Sequence, residues 1–377
     1  MAITVEEVLN KADLKRFVKL PFALYKDAPL WVPQLIRDDM EIFDKEKNPA
    51  FDYAGARLFL AYKDGRPAGR IAAIDNRAAN RKYGTKNLRF GWFDSANDPE
   101  VAAALFQAVE KWAGELGMET VTGPHGFCDL DPQGMLVEGF EHLPTIAGYY
   151  NFPYYQRLVE DLGYGKEIDY VEFRAQVPND MSAFPEKLLR LAERIQERGG
   201  LRVYQFKSKK DIMSRVREIF AIIDEAFAEI YGAVPLTVRQ VDYFIKKYFT
   251  FVDKDLVQVV VNEKNEMVGF MLAMPSLSRA FQKAGGRLLP LGWWHLWRAM
   301  KKNDVLDFYL AGILKKFRGL GVDLLMVVEM ARNAVAKGFR FTESNQELET
   351  NAKIQAQWKY FNPVQHKRKR IFKKILK

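Results

Sequence analysis

Val305-Leu306-Asp307-Phe308-Tyr309-Leu310-Ala311-Gly312-Ile313-Leu314-Lys315-Lys316-Phe317-Arg318-Gly319-Leu320-Gly321-Val322 reads as a strand, a glycine-bearing basic loop and the start of a helix. Val322, Leu325, Val328 and Val335 then recur at helical spacing, which sets one face of that helix inward. Free amides at a helix amino end, with the helix dipole behind them, bind anionic phosphate. Gly319 and Gly321 permit an approach that a side chain would block, and Lys315, Lys316 and Arg318 add positive charge at the same point. A glycine turn with a solvated basic rim has the same composition. The strand before the loop and the helix after it favour a phosphate-type site.

Working outward, residues 211–231 and 237–249 read as helices, and 256–261 and 267–274 as a hairpin around 262–266. Beyond the loop come a strand at 339–343, a helix from Asn351 and a last strand near 368–374. The first half has the same order. A hairpin spans 57–74 around Asp64-Gly65, a strand covers 88–93, and Asp98-Pro99-Glu100 starts a helix that Gly117 ends. A strand at 120–122, a helix at 154–162 and a strand at 170–174 follow. The predicted fold is α/β (α+β), with two tandem domains, each a mixed, mostly antiparallel sheet flanked by helices. The predicted bounds are 1–178 and 200–377, joined by a linker helix within 179–199.

The 377 residues can bury large cores without staples. The single cysteine, Cys128, excludes an internal disulfide framework and a cysteine-rich zinc site. His125, His142, His295 and His366 show no ligand spacing, so no metal is expected and each reads as structural. The first twenty residues mix charges with apolar residues and contain no signal peptide or membrane span, so a cytoplasmic protein is expected. The net charge is +9, much of it at Lys367, Arg368, Lys369, Arg370, Lys373, Lys374 and Lys377, which read as a solvated face of the final strand. No nucleic-acid-binding motif is present, so no specific nucleic acid is expected.

Lys316-Phe317-Arg318-Gly319-Leu320-Gly321 resembles the (Arg/Gln)-x-x-Gly-x-Gly signature of the GNAT acetyltransferase superfamily. Its extension through Leu325, together with 65–74, 98–101 and 150–155, resembles a bacterial GNAT-like family of tandem-domain proteins, and the likeness covers nearly the whole chain. The resemblance implies tandem GNAT-like domains and N-acyl transfer from acetyl-CoA, or another acyl-CoA, to a small-molecule or peptide amine. It also implies that Ile313, Lys316, Arg318, Gly319, Leu320, Gly321 and Val322 contact the cofactor, with Asn351 at a further cofactor position. The first motif position is Lys316, where the family has Arg or Gln. The family's general-acid Tyr, seven residues after that Asn, is replaced by Trp358, and Tyr360 is the nearest tyrosine.

An amine must lose a proton as it attacks a thioester, so a base is needed. Glu343 and then Asp307, on the strands flanking the loop and its helix, are the candidate carboxylates. At the equivalent turn the first half has Asp94, Asp98 and Glu100 where the second has Lys315, Lys316 and Arg318. Carboxylates at a helix start repel a pyrophosphate. The first half is therefore expected to shape the acceptor pocket, with Tyr149, Tyr150, Phe152, Tyr154 and Tyr155 as lining or as packing. The segment 275–303 exceeds what a minimal domain needs. Its Trp293, Trp294 and Trp297 beside Arg298, Lys301 and Lys302 suit domain packing, a lid or a peripheral membrane contact. Two other functions stay open: a non-catalytic acyl-CoA-binding or sensing protein, and a tRNA-dependent aminoacyl transferase.

Overall fold

The computed structural model describes every residue except Met1, Thr250, Lys353, Ile354, Ala356, Gln357, Lys359, Tyr360 and Lys377. The first half runs β1 (Ile3–Glu7), α1 (Lys11–Leu24), α2 (Ile36–Ile42), β2 (Ala54–Lys63), β3 (Arg66–Asn76), α3 (Arg77–Tyr83), β4 (Asn87–Ser95), α4 (Pro99–Glu115), β5 (Thr120–Gly123), β6 (Met135–Glu138), α5 (Tyr154–Glu160) and β7 (Gly165–Gln176). After α6 (Glu186–Arg198) come β8 (Arg202–Val203), α7 (Lys209–Ala226), α8 (Val238–Tyr248), β9 (Val257–Val261) and β10 (Met267–Pro275). The chain ends with α9 (Ser278–Ala284), α10 (Gly292–Lys301), β11 (Val305–Ile313), α11 (Val322–Ala336), β12 (Phe341–Glu343), β13 (Glu347–Leu348) and β14 (Val364–Ile375).

Local chemistry sets these boundaries. Asp64 and Gly65 take positive φ, 49° and 77°, so the β2–β3 turn follows the strands' right-handed twist. The Asp98 carboxylate accepts from the Glu100 and Val101 amides and starts α4 at Pro99. Thr237 and Gln240 cap α8 reciprocally. Alternation along the strands then feeds opposite faces. Ala72 and Ile74 join one apolar cluster and Ile71 and Ala73 another. The first cluster reaches across the molecule, from Phe17 and Trp92 to Phe220, Phe244 and Phe270, so one core serves both halves.

The strands form one 14-stranded sheet, β1-β2-β3-β4-β5-β14-β7-β12-β11-β10-β9-β8, with β6 on β14 and β13 on β7. β4 pairs with β5 in parallel, and β11 pairs with β12 in parallel, so the two halves repeat the same arrangement. Their final strands are exchanged. β7, from the first half, pairs with β12 of the second, while β14 pairs with β5 of the first. β7 and β14 pair with each other at the centre.

That exchange corrects the reading of the basic tail. β14 is an interior strand, and Lys367 and Lys369 are buried, both bound to the buried Glu172 at 3.0 and 2.7 Å. Burial opposes a charge on Glu172, yet the two ammonium groups pull its carboxyl down to about 2. Arg368 and Arg370 alternate with these lysines and pair with Asp169.

Candidate active site

β11 and β12 pair only from Val305–Phe341 to Asp307–Glu343. Beyond that point β11 bulges. Its register with β10 jumps between Leu310 and Phe308, leaving Tyr309 as the extra residue. The chain after β12 meanwhile turns to pair with β7, setting Glu347 opposite Val171. A cleft opens between them, spanned by the Asn345 side-chain amide donating to the Tyr309 carbonyl at 3.3 Å.

A cavity of about 450 Å³ occupies this cleft. Its walls come from both faces of the sheet: Val327, Met330 and Ala331 of α11 on one, Phe220, Phe227 and Phe244 on the other. That volume lies within the range of roughly 300–1,000 Å³ usual for small-molecule sites. The first half contributes Gln34, Asp38, Asp39, Asp129, Asp131 and Ile146. Burial raises the Asp39 and Asp129 carboxyls to about 6.

The glycine loop lies between β11 and α11. Gly319 and Gly321 have φ of 79° and 83°, and the N-cap of α11, Gly321, supplies no side-chain cap. At Gly319 a Cβ would meet open space, whereas at Gly321 it would lie 2.3 Å from Cδ1 of Ile195 on α6. Gly321 thus also answers to packing. Arg318 donates to the Ile313 and Ala226 carbonyls at 3.3 and 3.4 Å, Lys315 pairs with Glu229 at 2.8 Å, and Lys316 and Leu320 are exposed. Val322 is buried as the first residue of α11.

Asp307 and Glu343 stand side by side, but neither lines the cavity. Glu343 faces the Lys367 ammonium at 3.4 Å and Arg174 at 3.6 Å. Burial, reinforced by Glu343, raises Asp307 to about 8, and the Tyr309 hydroxyl donates to it at 3.4 Å. Asn351 does line the cavity, its backbone amide bound to the Leu348 carbonyl at 2.9 Å. Tyr360 lies outside the described residues. Trp358 also lines the cavity and donates its indole N–H to Glu347 Oε1 at 2.7 Å.

Glu347 is a cavity-lining carboxylate that the sequence does not single out. Its spacing from Glu343 and Glu349 gives no signal, and only the turn onto β7 aims it inward. Burial raises it to about 7, against the lowering effect of the Trp358 hydrogen bond. Its Oε2 is buried and has no hydrogen-bond partner among the described residues. The same is true of Tyr170 Oη, Thr342 Oγ1 and Asn345 Oδ1, and all four residues line the cavity. Buried polar atoms are seldom left unpaired, so these four groups mark where water or a polar ligand would bind.

At the matching place in the first half the polar groups are already taken. Asp94 is buried against Arg70 and the Tyr25 hydroxyl, each at 2.7 Å. Asp98 occupies the helix-end amides and pairs with Lys63, and the Ser95 amide donates to the Tyr155 hydroxyl at 3.0 Å. Tyr149 lines the cavity, whereas Tyr150, Phe152 and Tyr155 pack around Tyr25, with Tyr154 against Phe152 and Tyr155. Among the histidines, burial and then Arg89 hold His125 near 3, and burial and then Lys367 hold His366 near 3, so both are neutral. Among the described residues no group of three or more His, Cys, Asp or Glu side chains is placed to hold a metal ion.

No known protein-family profile matches the chain. Protein YghO of Escherichia coli (strain K12) is 28% identical over 376 residues, which cover 98% of this chain and 95% of that protein. A bacterial ceramide synthase of Caulobacter vibrioides is 29% identical over 385 residues, 99% of this chain and 98% of that one. Among solved structures, a tandem GNAT protein from the clavulanic acid biosynthesis pathway matches with a TM-score of 0.56 at 10% identity, over 99% of this chain and 98% of the other. With the duplicated strand order and the glycine loop between β11 and α11, the chain is a tandem-domain protein of the GNAT fold.

Proposed function

We propose that the chain is an N-acyltransferase that moves an acyl group from acyl-CoA to the amine of an apolar, long-chain acceptor. The observation that carries this reading is the cavity through the sheet. It joins the α11 face to a phenylalanine-rich lobe, and Glu347, with an unpaired oxygen, is among its lining residues. The amides of Gly319, Gly321 and Val322, with Lys316, hold the pyrophosphate in this reading, since those of Arg318 and Leu320 already donate to the Lys315 and Phe317 carbonyls at 3.3 Å, and Asn351 faces the pantetheine arm. The second half carries the cofactor, and the first half closes the acceptor lobe through α2 and residues 129–131 and 146. An apolar lobe of this size suits a chain longer than acetyl on the donor or the acceptor. The ceramide synthase relative supports it, since a ceramide is the amide of a long-chain amino alcohol.

Glu347 is assigned the base role. The amine nitrogen forms the new C–N bond, the thioester C–S bond breaks, and the amine proton passes to Glu347 Oε2. Tyr309, a cavity-lining phenol that burial keeps protonated, is assigned the proton donation to the departing thiolate, which requires its hydroxyl to turn from Asp307 into the cavity. Trp358 cannot make that donation, because an indole N–H is too weak an acid. It orients Glu347 instead.

Titration calorimetry with acetyl-CoA and a sixteen-carbon acyl-CoA tests the reading, with Gly319→Glu as the variant and Gly319→Ala as its control. Gly319→Glu puts a carboxylate at the pyrophosphate and is expected to abolish binding, while the alanine control keeps binding within about tenfold, the positive φ costing it roughly 1 kcal/mol. Thiol release is expected with long-chain amines and not with short ones. No acyl-CoA binding at millimolar ligand would remove the proposal. Binding without thiol release would favour the non-catalytic reading, which the Trp358 replacement supports. The acidic wall of Asp38, Asp39, Asp129 and Asp131 gives a tRNA-dependent reaction no support.

A further inference from the structure

α9, α10 and the turn between them form a surface that the acyl-transfer reading does not use. Leu289 is 75% exposed, Leu291 61%, Trp293 53% and Trp297 55%. One face of α10 is anchored: Gly292 is buried, and Leu296 packs against Val32, Leu35 and Phe281. Trp293 and Trp297, four residues apart, therefore lie on the outward face, and Lys301 continues their stripe. Monomeric proteins seldom leave so much large apolar surface together without a partner.

The charge around this patch says what kind of partner fits. Residues 276–303 contain Arg279, Lys283, Arg287, Arg298, Lys301 and Lys302 and no Asp or Glu. All six basic side chains are exposed, and none is in an ion pair with a described residue. Arg298 lies over the Trp294 ring at 5.5 Å. Tryptophan and leucine bordered by unpaired cations are the composition of a segment that lies in a lipid headgroup region. No described helix is long and apolar enough to cross a membrane, so the contact is with a surface.

We propose that the α9–α10 face docks on an anionic lipid bilayer, with Leu289, Leu291, Trp293 and Trp297 in the interface and the six cations on the headgroups. Docking rests on this surface alone. Its use rests on the proposed function: Phe281 of α9 lines the cavity and also anchors Leu296 of α10, so one two-helix unit joins the docking face to the acceptor lobe. A long-chain amine, poorly soluble in water, would then reach the cavity from the bilayer.

Flotation of the full-length protein decides it, with vesicles of phosphatidylcholine alone or mixed equally with phosphatidylglycerol. The protein is expected to float with the mixed vesicles and not with the neutral ones. Trp293→Ser with Trp297→Ser, and separately Lys301→Glu with Lys302→Glu, are each expected to lower the bound fraction by about tenfold or more. Both double variants should keep the far-ultraviolet spectrum and the calorimetric acyl-CoA binding, or lack of it, of the unchanged protein. Failure here and failure of the acyl-transfer reading are therefore seen separately. Absence of flotation with mixed vesicles, or flotation that neither variant weakens, would overturn the proposal. So would a concentration-dependent dimer that the tryptophan variant abolishes, because a second copy would then cover this face.

Discussion

Glu347 and Trp358 make a pair whose parts can be tested separately. As the proposed base, Glu347, which burial raises to about 7, would be half ionised at neutral pH. Its active form is the deprotonated one, so turnover is expected to rise as pH increases through about 7 and to level off above it. Glu347→Gln should lower kcat by about 10²–10⁴-fold in a thiol-release assay while leaving acyl-CoA affinity unchanged. Trp358→Phe keeps the ring that stacks on Phe173 but removes the donor that holds the carboxylate charge. The lower limb of the pH profile should then move to higher pH, whereas a purely structural tryptophan would change stability without moving the profile.

At the scale of elements, β14 and β11 carry the buried charge. Lys367 reaches Glu172 and Glu343, so Lys367→Met leaves Glu343 without its lysine and Glu172 with Lys369 alone. Removing one partner of a buried pair costs about 3–5 kcal/mol, which urea denaturation at neutral pH should show. The folded value of Glu172, about 2, lies below its unfolded value, so its contribution is complete above the unfolded value and fades as pH falls toward 2. Asp307 has the opposite sign. Between its unfolded value and about 8 the native state keeps a proton that the unfolded chain loses, so stability falls as pH rises across that window. Asp307→Asn lacks this slope. Its advantage over the unchanged protein is expected to grow between pH 5 and pH 8, by more than about 1 kcal/mol.

At the scale of the molecule, exchanged strands and a shared core tie the halves together. β14 cannot leave without exposing β5 and β7, and the cluster from Phe17 to Phe270 belongs to both halves. Calorimetry is therefore expected to show one cooperative unfolding transition, with calorimetric and van't Hoff enthalpies equal. Two resolved transitions would mean that the halves unfold separately in spite of the shared sheet. The hairpin at Asp64-Gly65, the Asp98 cap and the strand from Val305 to Ile313 were legible because their causes lie within a few residues: a turn geometry, an amide within reach, an alternation. The glycine loop was legible for the same reason. The burial of Lys367 and Lys369 and the aim of Glu347 were not, because each depends on which distant strand pairs beside it. By itself the sequence determined the hairpin, the parallel strands and the helix between them in each half, their duplication and the loop, but not α1, α2 or the short strands β8 and β13. Only the tertiary structure decided that β7 and β14 cross over, that a basic tail becomes the centre of the sheet, and that a glutamate in an irregular turn faces the cavity, since long-range pairing leaves no local mark on the chain.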